Sequence, residues 1–176
     1  FHALSRVPKK YFQEHLARCP RLNAWPKSIF CFFLNTSLMQ LSYLITPDPL
    51  HHRYHVTLPL DLSHLKEESI KLEMPVWTPG SYVLREYSGR VSDIHAECAG
   101  VRIELEQTGK SEWRLHADEV PDLSRIEVHW SVFAYSKGIH DAWLDSDRGF
   151  IKPPALFLHP ASIPADAALS VSLDAK

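Results

Sequence analysis

A chain of 176 residues, 45% hydrophobic and 11% aromatic, can bury a real core and has room for one domain with an appendage. Its 19 basic and 21 acidic side chains leave a net charge of −2, which excludes a general electrostatic pull toward nucleic acid or an anionic membrane. The only cysteines are Cys19, Cys31 and Cys98; an odd number without a Cys-x-x-Cys pair excludes a disulfide framework and a thiolate zinc site in the main domain.

The charge is unevenly spread. Residues 1–45 carry six basic side chains (Arg6, Lys9, Lys10, Arg18, Arg21, Lys27) against one acid, Glu14, so 13 basic and 20 acidic residues lie beyond them, a balance of −7. This shift places a boundary near Thr46, between a basic and apolar extension, 1–45, that reads as poorly structured or extraneous to the fold, and a main domain, 46–176. In the extension Pro8, Pro20 and Pro26 break any long helix, although Val7–Leu16 could form a short one. Ile29–Ile45 is an apolar run behind Lys27, the arrangement of a secretory segment or membrane anchor. Asn35, Thr36, Ser37, Gln40 and Ser42 interrupt it, and it falls short of the roughly 20 apolar residues of a spanning helix. A membrane role is not expected, and the bacterial cytoplasm and cell envelope both fit. A chain that opens on Phe1 and stops at Lys176, directly after an alternating segment, reads as a piece of a longer one.

The main domain reads as β throughout. Tyr54, Val56, Leu58 and Leu60 alternate with His55, Thr57 and Pro59, predicting a half-buried strand. Ser63–Glu68 is a polar connection, and Ile70, Leu72 and Met74 mark the next strand. Then comes Met74-Pro75-Val76-Trp77-Thr78-Pro79-Gly80-Ser81-Tyr82-Val83-Leu84-Arg85-Glu86-Tyr87, where two prolines and a glycine within six residues rule out a regular helix. It reads as a rigid corner delivering Tyr82 and Arg85 to one side. On residue chemistry alone its aromatics are packing, with Trp77 and Tyr82 filling the core beneath the corner. Trp77→Ala would then cost about 3 to 5 kcal/mol, against about ±0.5 kcal/mol for a surface contact residue.

Val91–Cys98 is a weaker strand. Ala99-Gly100 turns the chain into Val101–Glu106, and Thr108-Gly109-Lys110 turns it again into Glu112–His116, a predicted hairpin. Ile126, Val128, Trp130 and Val132 give the longest strand signal, running to Tyr135. Lys137–Gly149 is polar and turn-rich; Ala155–Leu158 reads as a short apolar strand and Leu169–Leu173 as a final alternating one. About seven or eight short strands predict an antiparallel β-sandwich or saddle-like sheet.

The 11 histidines invite a metal reading, centred on His51, His52 and His55. A zinc helix needs both members of an i, i+4 pair on one face, but this segment continues as a strand, where such a pair lies about 13 Å apart. Asp141, Asp145 and Asp147 fail the calcium-loop pattern, since Ser146 and Lys152 stand where glycine and glutamate are required. A solvated turn offset by Arg148 is the better reading. No His-Glu-x-x-His, Gly-x-Ser-x-Gly or phosphate loop occurs. No catalytic or metal-binding residue is therefore assigned.

The corner carries a resemblance. Met74–Tyr87 is similar to the N-terminal domain of the glycyl-aminopeptidase family of zinc metallopeptidases, in which a catalytic gluzincin domain and a PDZ-like domain follow. Matching stretches occur in order at Tyr54–Leu58, Lys110–Leu115, Val132–Tyr135, Trp143–Asp145 and Arg148–Phe150, so that the likeness covers roughly residues 46–173. It implies that Trp77, Thr78, Pro79, Gly80 and Ser81 form a structural motif, and that zinc and the general base belong to a catalytic domain of the parent. This chain would then bind no cofactor and hydrolyse nothing alone; its partners would be that catalytic domain and a peptide substrate. Tyr82, Arg85 and Asp145 would frame the amino end of the peptide, Asp145 attracting the α-amine and Arg85 a carbonyl or carboxylate. One departure stands out: relatives commonly run aromatic, aromatic, Asn after the Leu-Asp pair, and this chain has Phe150-Ile151-Lys152.

Two other classes fit the residues. A stand-alone β-sandwich module for carbohydrate or protein would use Trp77, Trp113, Trp130 and Trp143 as stacking platforms. An enzyme built on Asp141 or Asp145 with a nearby histidine would lose its activity on alanine substitution of either.

Overall fold

The computed structural model describes residues 40–64, 66–164 and 167–174. Twelve strands account for its regular structure: β1 (Gln40–Asp48), β2 (Arg53–Leu60), β3 (Ser69–Glu73), β4 (Val91–Cys98), β5 (Val101–Glu104), β6 (Glu106–Gly109), β7 (Glu112–His116), β8 (Ile126–Phe133), β9 (Trp143–Leu144), β10 (Gly149–Phe150), β11 (His159–Pro160) and β12 (Ala168–Leu173). They form a six-stranded sheet in the order β12-β1-β2-β8-β4-β5, a four-stranded sheet in the order β11-β3-β7-β6, and the separate pair β10-β9. Buried rows from both larger sheets (Tyr54, Val56 and Leu58 from one, Ile70, Leu72 and Leu115 from the other) belong to one apolar core. The all-β expectation holds, and among the described residues no α-helix occurs.

Four details differ from the sequence reading. The strand number exceeds seven or eight because β1 lies largely in the run assigned to the extension, the segment read as Val101–Glu106 divides into β5 and β6, and β9, β10 and β11 are two-residue pairings in segments not read as strands. The architecture is not wholly antiparallel, since β12 returns to pair parallel with β1. The predicted hairpin is present only in its distal half, as β6 and β7; the first half of Val101–Glu106 is β5, which pairs back with β4, and the chain changes sheet at buried Leu105. Finally, Ala155–Leu158 is no strand. Pro153 and Pro154 fix φ and supply no N–H, so Pro153–Ala155 makes a 3-10 turn and Leu156–Leu158 lies buried between the sheets.

That plug holds the aromatic centre of the molecule. Trp130 Nε1 donates to the Leu156 carbonyl at 2.9 Å and Tyr43 Oη to that of Leu158 at 2.8 Å, with the Tyr43 ring 4.5 Å from that of Phe157. Burial pushes the Tyr43 hydroxyl up to about 12. Gln40–Ile45, grouped by composition with the extension, belong to β1, whose Leu41, Tyr43 and Ile45 face the core. Val7–Leu16 and the apolar residues 29–39 lie outside the described residues. Among the described residues, no helix is long and apolar enough to cross a membrane.

Candidate functional site

The corner after β3 is built from its own hydrogen bonds. Pro79 and Gly80 occupy the central positions of a turn closed by Ser81 N–H donating to the Thr78 carbonyl at 3.1 Å; Gly80 has φ +86°, the left-handed angle a type II turn requires. Trp77 Nε1 donates to the Ser81 carbonyl at 2.9 Å, and Arg85 N–H to the Val76 carbonyl at 2.7 Å. Ser81 Oγ donates to the Val83 carbonyl at 2.8 Å and accepts from Arg85 Nε at 3.2 Å. Thr78 and Ser81 are buried, whereas Trp77 is 50% exposed and Tyr82 wholly so. The expectation that Trp77 and Tyr82 fill the core is therefore wrong. The core position below is taken by Met74, and Tyr87 is the buried aromatic of this stretch. With no strand alternation to aim them, the corner's side chains follow the turn, which points Tyr82, Val83 and Leu84 outward.

The second element is the segment from Tyr135 to Phe150. His52, Tyr135 and Trp143 stack in a row, at 4.0 Å and 4.3 Å between centroids, and His52 Nδ1 lies 2.7 Å from the Leu144 carbonyl. Asp145 organises the tip of this segment. Its Oδ2 accepts from Trp143 Nε1 at 2.8 Å, while Oδ1 accepts the amides of Asp147 at 2.9 Å and Arg148 at 2.8 Å. Those donors, the indole first, hold its carboxyl below the usual range. Asp141 accepts from Ser136 Oγ at 2.6 Å and pairs with Arg90 at 2.9 Å. Arg148, the offsetting cation of the solvated-turn reading, pairs loosely with Asp145, its Nε at 4.0 Å, and adds to the lowering of that carboxyl. Arg90, far away in sequence, was missed.

The Arg90–Asp141 pair ties the end of the corner to the second segment. No hydrogen bond or ion pair among the described residues joins Tyr82 or Arg85 to Asp145. Arg85 lines an open cleft of about 440 Å³ with Val76, Leu84, Gln107 and Lys110; another of about 460 Å³ lies among Lys137, Ile139, Asp141, Trp143 and Phe150.

Two further expectations are corrected. The turn before β2 folds His51 back, so that Asp48 Oδ2 lies 2.7 Å from His51 and 3.7 Å from His55; the two imidazoles share a carboxylate despite their spacing. His52 points elsewhere, into the aromatic row, and among the described residues no three His, Cys, Asp or Glu side chains group as metal ligands. Zinc does not fit these residues. Trp113 and Trp130 are buried, which removes two of the four platforms of a carbohydrate-binding surface.

Residues 42–176 match the family model described as the peptidase M61 N-terminal domain. The chain belongs to this family. The M61 N-terminal domain is also similar in structure to an aminopeptidase N family protein from Idiomarina loihiensis, with a TM-score of 0.65 and 28% identity over 77% of this chain. The chain spans 22% of the length of that protein. No curated protein matches. Both elements of the candidate site, the corner and the Asp145 segment, lie inside the matched M61 region.

Proposed function

We propose that this M61 domain is the non-catalytic N-terminal module of a zinc-dependent aminopeptidase of the glycyl-aminopeptidase kind, packing on a catalytic domain and narrowing access of peptides to it. Family membership over residues 42–176 is the observation that carries this reading. The geometry supports it in one respect: Tyr82 is presented to solvent on a backbone locked by Trp77, Ser81 and Arg85, at little further conformational cost on contact. In this proposal Tyr82 and Arg85 meet the substrate or its channel. Three of the about four acceptor sites of Asp145 serve its own loop, so it supplies negative charge near a peptide amine.

The test is a longer chain. Coding sequence beyond Lys176 is expected to contain His-Glu-x-x-His, and the full-length protein to cleave glycyl peptides and lose that activity to a chelator. Tyr82→Ala and Arg85→Ala are expected to raise KM in that protein. Absence of the motif, or hydrolysis by the 176-residue chain alone, overturns the proposal.

A further inference from the structure

The two edges of the six-stranded sheet are protected unequally. The β5 edge is short and charged: Arg102 bonds Glu104 at 2.6 Å and Asp93 at 2.9 Å, and the chain departs for the other sheet at Leu105. Charge and brevity are the usual ways a sheet edge is kept from pairing. The β12 edge has neither. Ala168-Leu169-Ser170-Val171-Ser172-Leu173 carries no charge, proline or glycine and runs in unbroken register against Gln40–Ile45.

The register decides which way its side chains face. Leu169, Val171 and Leu173 stand beside Leu41, Tyr43 and Ile45, and residues paired across neighbouring strands point to the same face. They therefore extend the core row. Yet Leu41, Tyr43 and Ile45 are buried while Leu169 is 56% exposed, Val171 51% and Leu173 56%. Next to them an open groove of about 490 Å³ is lined by Tyr43, Met74, Val76, Pro153, Phe157 and Leu169. Among the described residues, nothing roofs the core along this side.

We infer that β12 and the adjoining groove are the seat of the polypeptide that follows in the full-length protein, which roofs Leu169, Val171 and Leu173. This rests on the reading that the chain is the first domain of a larger enzyme. The solved relative has room for such a roof, since this chain accounts for 22% of its length. A domain tethered directly after β12 sits at an effective concentration in the millimolar range, which favours it over a second copy at ordinary protein concentrations. Val76 belongs both to the groove and to the corner, so a body seated there abuts the root of the turn that presents Tyr82.

Hydrogen exchange on the full-length protein and on the 176-residue chain tests this. The Asp174 amide donates to the Ile45 carbonyl, so in this parallel ladder the amides of Leu169, Val171 and Leu173 point away from β1, and these are expected to exchange slowly only in the full-length protein. In that protein Val171→Asp is expected to speed proteolytic separation of the domains roughly tenfold, the effect of losing one Val-sized apolar contact. Val101→Asp, at a valine equally exposed on the β5 edge, is expected to leave it unchanged. Fast exchange of these three amides in a full-length protein that still cleaves peptides overturns the inference and leaves the proposed function standing. Slow exchange in an inactive full-length protein does the reverse. Protection of these three amides in the 176-residue chain overturns it too, assigning the roof to a second copy if it grows with concentration and to residues 1–37 if it vanishes when they are removed.

Discussion

Trp130 and Trp77 make the same bond: each indole N–H donates to a backbone carbonyl at 2.9 Å. One side chain is 2% exposed and the other 50%. In the core, packing holds the ring and the bond satisfies a donor that burial has cut off from water. At the corner little packs on the ring, and the bond holds the loop in shape. The same residue type thus supports the fold in one place and a presented surface in the other. Their responses to substitution should diverge accordingly.

Trp130→Ala is the severest break in the comparison. It empties a site shared with Tyr43 and frees the Leu156 carbonyl, and a loss of about 3 to 5 kcal/mol is expected from denaturant melts. A loss below about 1 kcal/mol would mean that the 153–158 plug does not depend on the indole.

Trp130 also shows what was readable beforehand. It lies in the clean alternation of β8, where period two assigns a face, and the strands found that way (β2, β3, β7, β8) are present close to their expected bounds. What stayed hidden depends on partners remote in sequence. The Leu105 crossing requires knowing that β5 and β6 pair in different sheets, and Arg90 finds Asp141 across 51 positions. The exposure of Trp77 and Tyr82 was hidden for a different reason, because an aperiodic Pro-Gly turn carries no signal of which side is in.

The next effect belongs to the corner alone. A Cβ on Gly80 meets nothing within 4 Å, so Gly80→Ala adds no clash and isolates the cost of φ +86° for an L-residue. About 1 to 2 kcal/mol is expected from thermal or denaturant melts. A neutral result would mean the turn has relaxed to another type, losing the Thr78–Ser81 closure that aims Tyr82 outward.

The smallest effect is the sharpest on the comparison. Trp77→Phe keeps an aromatic ring at the half-exposed position and deletes only the bond to the Ser81 carbonyl. A net loss of about 0.5 to 1.5 kcal/mol is expected, the ordinary worth of one hydrogen bond and well under the 3 to 5 kcal/mol of a buried aromatic. Limited proteolysis gives the second readout. Because Ser81 also engages Val83 and Arg85, freeing its carbonyl should loosen the whole Thr78–Arg85 loop, so cleavage there should accelerate more than global unfolding does. If cleavage instead tracks global stability, the indole acts by packing after all, and Trp77 and Trp130 differ in degree rather than in kind.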